Sequence, residues 1–442
     1  MFGWKLHGDG KHLTPGEVVK PDERLSWPRM VGIGAQHVIA MFGATFVFPL
    51  VMGLDANLAV MMSGVATILF LLIVKGKIPS YVGSSASFVG AVVAIRAAGG
   101  GDATVTGALL AVGVVLAGCG LAIHLLGVRI IHRVFPPIVT GGVVMLIGFG
   151  MAYVAADVYW PKDPWVALLT MAATFVFIGV LKGFLGRIGV LLGLVFGFVL
   201  SWVWDVVGGK ILAPDATGKV TEHFRVNLQG VADADWIGLP SLHGPVFEVS
   251  AIVLVLPVVI ALIAENVGHV KAVGEMTGAD VDGYMGRAIM ADGVGTVVAT
   301  SVGGPATTTY AENIGVMAAT KVYSTAAYYI AAVIAILFGL CPKFGALVAA
   351  TPDGVLGGVT TILYGMIGLL GARIWIENKV NLSDPVNLVP VGAGIIIAIG
   401  PVAFPITSTF SLSGIALGTI VLLVGYHLLR ATRREPVPET GR

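Results

Sequence analysis

Apolar windows long enough to cross a bilayer recur along the whole chain, at roughly 31–52, 57–75, 103–126, 137–157, 164–182, 187–207, 248–270, 322–341, 353–372, 385–405 and 412–430. A helix needs about 20 such residues to span the hydrocarbon. Inside lipid, only helices and closed barrels satisfy every backbone N–H and C=O. Windows of this length and continuity therefore predict an all-α polytopic membrane protein. The composition agrees: of 442 residues, 56% are hydrophobic and 12% charged, against about 25% charged in soluble domains. Glycine, with 61 copies, suits close helix packing in lipid. The net charge of +1 implies no nucleic-acid or acidic partner. Cys119 and Cys341 lie in apolar stretches and read as small buried side chains, not as a disulfide or metal site. The first 29 residues are polar and lack the apolar core and small-residue cleavage site of a signal peptide, so insertion is expected to begin with the first span.

Three further windows are less regular. They lie at about 79–97, opening P-S-Y-V-G-S-S-A-S-F-V-G, at about 288–303, holding Asp292, and at about 304–320, reading G-P-A-T-T-T-Y-A-E-N-I-G-V-M-A-A-T. Counting them makes fourteen spans and puts both termini on one side. With that side cytoplasmic, the loops bearing Lys75 and Lys77, Arg129 and Arg133, Lys182 and Arg187, and Arg373 and Lys379 fall inside, and 20 of the 26 Lys and Arg are cytoplasmic. That excess follows the positive-inside rule; dropping the two Ser/Thr-rich windows breaks the sorting. The resulting division is a cytoplasmic segment 1–29, a transmembrane domain 30–430 and a cytoplasmic tail 431–442. The hydrophilic loop at about 208–247 falls outside and carries no assigned chemistry.

Windows 79–97 and 304–320 share a design. Each begins near a proline (Pro79, Pro305), continues through hydroxyls (Ser80, Ser84, Ser85 and Ser87; Thr307, Thr308, Thr309 and Tyr310) and reaches a glycine and an apolar run. This reads as an extended stretch leading into a half-helix. Irregular backbone at membrane depth is tolerated only when buried in protein or lining a cavity. A half-helix start there offers unpaired N–H groups and a positive dipole end. The windows are third and tenth in order, seven spans apart, and paired interrupted segments of this kind point to a transporter's binding site. The bland alternative is that these hydroxyls only bond their own helices.

Charged groups inside the membrane sharpen that reading, because a carboxylate there costs about 3 kcal/mol or more and defaults to function. Glu265 and His269 in the eighth span, Asp292 in the ninth and Glu312 in the tenth are the strong cases; His37 in the first is weaker. Glu265 and His269 stand at i and i+4 on one helix face and form a pair able to exchange a proton in the physiological range. No cluster has metal-ligand spacing and no Walker loop is present, so neither a metal, a cofactor nor ATP hydrolysis is expected, and no nucleophile–base pair marks an enzyme.

E-N-I-G-V-M-A-A-T-K at 312–321 resembles the nucleobase–ascorbate transporter motif (Q/E/P)-N-x-G-x4-T-(R/K/G). A-E-N-V-G-H at 264–269, Q-H-V-I-A-M-F-G-A-T at 36–45 and S-Y-V-G-S-S at 80–85 resemble that family's eighth, first and third spans. The likeness extends over about 30–430 and is nearest to the bacterial uracil/pyrimidine branch. It implies two inverted seven-span repeats forming a core (about 30–126 and 248–341) and a gate (about 137–207 and 353–430). It further implies alternating access, proton coupling, a homodimer and a bacterial-type inner membrane. By the same resemblance Glu265 and Glu312 would bind a base through its ring N–H groups, with Tyr310 and Asn313 beside them. The amides of Ala86 and Ala311 would meet its carbonyls, Tyr364 would approach from the gate, and His269, with Glu265, Asp292 and His37, would carry the proton. Uracil permeases often have Phe at the position of Ala86 and Gly at that of Ala311, a departure that bears on pocket shape. The implied substrate is a nucleobase, uracil or a related pyrimidine. Alternatives are a xanthine or purine carrier of the same family, an anion carrier of similar layout and a passive solute channel.

Overall fold

Two three-residue strands crossing in the middle of a helical bundle organise the fold. A computed structural model describes residues 3–11, 13, 16–97, 99–127, 129–214, 219–256, 258–400, 402–406 and 411–433. In the N-terminal half, α1 (Trp27–Met52) and α2 (Ala56–Ile73) precede strand β1 (Val82–Ser84). A 3₁₀ turn, Ala86–Phe88, then leads into α3 (Val89–Ala97) and α4 (Asp102–Leu126). Next come α5 (Pro137–Gly150), continued by a π turn to Tyr159, then α6 (Pro164–Gly179) and α7 (Gly189–Gly208). In the C-terminal half a short helix, Val249–Val255, enters α8 (Val258–Thr277), followed by α9 (Asp282–Ser301). Strand β2 (Thr307–Thr309) and α10 (Ala311–Thr320) follow, then α11 (Thr325–Gly339), α12 (Asp353–Glu377), α13 (Pro385–Ile399) and α14 (Gly414–Thr432).

Among the described residues, eight helices are long and apolar enough to cross a membrane, or nine when α11 and the Pro342–Ala349 helix, bent from it by 82°, count as one span. The remaining sequence windows fold as shorter or more polar helices. The ninth window begins six residues inside its helix. The polar start of α9, Asp282–Arg287, reads as loop in the sequence yet is helical. The cause is packing: α4 and α9 form the most extensive helix pair, and they approach so closely at Gly120 and Gly286 that an added Cβ would meet the partner's backbone within 2.2 and 2.4 Å.

α1, α2, α8 and α9 pack against the strands, with α4 set behind α9 and α11 behind α1 and α2, while α5, α6, α7, α12, α13 and α14 pack chiefly on one another. β1 and β2 pair antiparallel between the two halves, with Val82 opposite Thr309 and Ser84 opposite Thr307. Gly83 has to be glycine here: a Cβ would lie 2.6 Å from the Tyr310 ring.

The loop after α7 is more structured than its sequence implies. Ile211–Pro214 pairs with Val220–His223, and Arg225 bridges Asp163 (2.7 Å) and Asp205 (3.1 Å). Farther along, the Lys343 ammonium donates to the Val231 carbonyl (2.9 Å), and the Val246 N–H to that of Ala103 (2.8 Å). The N-terminal segment docks beneath α11: the Val19 N–H donates to the Lys321 carbonyl (2.9 Å) and Trp4 Nε1 to the Thr325 hydroxyl (2.8 Å).

Candidate substrate-binding site

A cavity of about 50 Å³ lies where the strands cross. The chain reaches it from both halves. Ser84 ends β1, and two residues later Ala86 opens the first short helix; Thr309 ends β2, and two residues later Ala311 opens α10. Ser84, Ala86, Thr309 and Ala311 all line the cavity. The start of α10 has no side-chain cap: Tyr310 occupies the N-cap position with extended dihedrals and makes no capping hydrogen bond. The first N–H groups of α10 thus begin at a polar cavity with a positive dipole end.

Tyr310 is instead an internal strut. Its buried hydroxyl donates to the Ser84 carbonyl at 2.8 Å and accepts from Thr45 of α1 at 3.2 Å. It also lines the cavity.

Glu265 and Glu312 face the same cavity from α8 and from the first turn of α10, and both are half-buried. Glu265 Oε2 accepts from the Ser87 hydroxyl at 3.1 Å. His269, one turn after Glu265, also lines the cavity, and its Nδ1 lies 2.9 Å from the Thr309 hydroxyl. Phe48 of α1, Val144 and Ile147 of α5, and Ile367 and Leu370 of α12 supply an apolar wall. A planar, neutral solute with alternating N–H and C=O groups finds here two carboxylate acceptors, helix-start donors and flat apolar surface.

A second cavity of about 300 Å³ shares Ala44, Ala311, Glu312, Ile367 and Leu370 with the first. It extends to Ile178, Gly186 and Ile188, at the α6–α7 connection. Glu312 therefore stands between an inner chamber and a wider passage.

Not every residue singled out in the sequence lines the site. Asn313 is fully buried, and its amide donates to the His37 carbonyl at 3.0 Å with His37 Nδ1 at 3.1 Å, tying α10 to α1. Asp292 is buried in α9, where its carboxylate accepts from the Asn266 amide of α8. Tyr364 stands behind Phe48, the rings stacked at 6.5 Å and 12°, and borders a different cavity. Conversely, the sequence reading named Ser87 and Thr309 only as members of hydroxyl runs. The apolar wall carried no local signal at all, since its residues look like any lipid-facing or packed side chain.

A model of the permease family matches residues 29–407. Over 450 aligned residues the chain is 41% identical to a protein of Escherichia coli (strain K12) provisionally named pyrimidine permease RutG, covering 99% of this chain and 98% of that one. It is 33% identical to the uracil permease of Bacillus subtilis (strain 168), over 93% and 94% of the two chains. Among solved structures it superposes on SLC26A9 with a TM-score of 0.63 at 12% identity, covering 92% of this chain and 66% of that one. The transmembrane domain of a cyanobacterial bicarbonate transporter, BicA, gives 0.60 at 15% identity, with 90% and 96% covered. At such identities the likeness is one of fold.

Proposed function

Because the chain belongs to the permease family, the nucleobase–ascorbate transporters whose motifs it carries, we propose that it takes up a pyrimidine base, uracil or a close relative, together with protons. It is a transporter and not an enzyme. The observation that carries the substrate reading is the convergence of Glu265, Glu312 and the first residues of two short helices, Ala86 and Ala311, on one cavity. Two carboxylates accept from the ring N–H groups, and helix-start amides donate to the carbonyls. Each of these groups left unpaired costs about 1–3 kcal/mol, which discriminates against solutes lacking the pattern. The relatives named as pyrimidine and uracil permeases support the same choice.

In this reading the fourteen helices form two inverted repeats. α1–α4 and α8–α11 make the core that holds the base, and α5–α7 and α12–α14 make the gate. Relative movement of core and gate gives alternating access. The passage at Gly186 and Ile188 leads toward the loop carrying Lys182 and Arg187, so this conformation opens to the cytoplasm, with both termini on that side of a bacterial-type inner membrane. The functional unit is a homodimer. His269, beside Glu265, belongs to the proton path.

The fold is shared with proteins named as an anion transporter and a bicarbonate transporter, but two carboxylates in the cavity oppose an anionic cargo. Binding of uracil, thymine, xanthine and bicarbonate to the purified protein tests the substrate. Counterflow in proteoliposomes with and without a pH gradient tests coupling. Saturable uracil binding with pH-driven accumulation is expected. Bicarbonate binding in preference to every base would overturn the proposal, as would uptake indifferent to the gradient.

A further inference from the structure

A two-stranded crossing at membrane depth has a problem that strands in water do not have: its outer edges present N–H and C=O groups with no solvent to take them. Two threonines solve it in the same way. The Val82 N–H donates to Thr67 Oγ1 at 2.9 Å, and the Thr67 hydroxyl donates back to the Val82 carbonyl at 3.2 Å. The Thr307 N–H donates to Thr296 Oγ1 at 3.0 Å, and the Thr296 hydroxyl returns to the Thr307 carbonyl at 3.1 Å. Thr67 lies on α2 and Thr296 on α9, each the helix before the strand it holds. Val82 and Thr307 are the first residues of their strands. Both threonines are completely buried.

This is not the ordinary use of a helical threonine. Thr174, Thr300 and Thr360 direct their hydroxyls to the carbonyl four residues back in their own helices, at 2.7–2.8 Å. Thr67 and Thr296 direct theirs outward, to both polar groups of one neighbouring residue. The strand so held is short: Ala86 lies four residues beyond Val82 and Ala311 four beyond Thr307, with no turn of helix between to absorb a shift.

We propose that Thr67 and Thr296 are a matched pair of positioning residues for the substrate. Each hydroxyl fixes where its strand crosses, and so where the following short helix begins against the cavity. Neither touches the substrate; they act through Ala86 and Ala311. This rests on the pyrimidine reading above.

The test is uracil affinity in purified T67V, T296V and the corresponding serine variants, with T300V as control. Valine keeps the shape but leaves one N–H and one C=O unpaired in a dry interior, so the dissociation constant should rise about tenfold or more. Serine keeps the hydroxyl and should restore affinity to within about threefold of the parent. T300V removes a hydroxyl that only serves its own helix and should bind normally. Where a valine variant is not recovered folded, cysteine takes its place: its weaker partner should put the affinity measurably below that of serine. Valine or cysteine variants that bind like T300V would overturn the inference, as would serine variants that fail equally. If the parent protein bound no pyrimidine, the substrate reading would fall first and this inference with it; pyrimidine binding by the parent with unaffected valine variants would sink the inference alone.

Discussion

Ser87, in the 3₁₀ turn that follows β1, donates its hydroxyl to Glu265 Oε2 at 3.1 Å across 178 residues of sequence. The bond joins the two halves of the protein at the cavity wall and, among the described residues, occupies only one of the two carboxylate oxygens. A ring N–H meeting a carboxylate makes a charge-assisted bond, stronger than one between neutral groups. Glu265→Gln should therefore weaken uracil binding by roughly 10–150-fold, the worth of a hydrogen bond to a charged group at about 1.5–3 kcal/mol. Ser87→Ala removes only an orienting contact and should weaken it less. Titration calorimetry on folded, monodisperse protein decides; a Glu265→Gln protein with parental affinity would remove this carboxylate from the site.

Much of this arrangement was legible in the sequence, and the reasons it was not wholly so are physical. Length and apolarity predict helices, and proline, hydroxyl runs and glycine predict the two interruptions. These signals are local, and the structure shows a strand and short helix at each interruption. Pairing is not local. Nothing near Asn313 says that its amide reaches His37, and nothing near Phe48 says that it screens Tyr364 from the cavity. The start of α9 looked like loop because Asp282 and Arg287 are charged; it is helical because Gly286 packs against the backbone of α4 at His124. The loop after α7 looked featureless because an ion-pair network such as that of Arg225 leaves no periodic trace.

That network makes its own prediction. Arg225 is held between Asp163 and Asp205, with side chains only 14%, 10% and 7% exposed, and Asp163 also caps α6 through the Val166 N–H. Removing the cation leaves two buried carboxylates uncompensated. Arg225→Met should destabilise the protein by on the order of 3 kcal/mol, seen as a lower melting temperature in detergent. Arg225→Lys should recover only part of this, because an ammonium cannot reproduce a guanidinium's planar fork. Equal melting temperatures for the parent and Arg225→Met would mean the loop is not anchored there.

On the side assigned to the cytoplasm, Asp384 gives a pH-dependent case. It accepts from the Val386 N–H at the start of α13 and from Arg433 at 2.6 Å, and these bonds, the backbone one first, hold its carboxyl below the usual carboxylate value. A depressed folded pKa contributes stability that is fully present above the unfolded value and is lost as pH falls through the folded one. Asp384→Ala should therefore melt below the parent at neutral pH, and the gap should close in strong acid. A gap that widened on acidification would contradict the assignment.

His269 carries the sharpest prediction. It lines the cavity one turn from Glu265, but its Nδ1 faces the Thr309 hydroxyl. It therefore connects the carboxylate face of α8 to the strand that leads into α10. If a proton arriving from outside is shared between Glu265 and His269, a charged imidazole keeps the carboxylate ionised and ready to accept the base's N–H bonds. Loss of that proton to the cytoplasm weakens the arrangement and favours release. A neutral base moving with a proton makes uptake electrogenic and faster with acid outside. Exchange at symmetric pH needs no net proton movement, so His269→Ala should reduce uphill uptake under a pH gradient well beyond its effect on counterflow. Both assays run on one purified variant. Equal loss in the two would make His269 a binding or packing residue, acting through Thr309 on the start of α10. Retained uphill uptake would move coupling to another carboxylate, with Glu312, at the junction of the two cavities, the first to substitute.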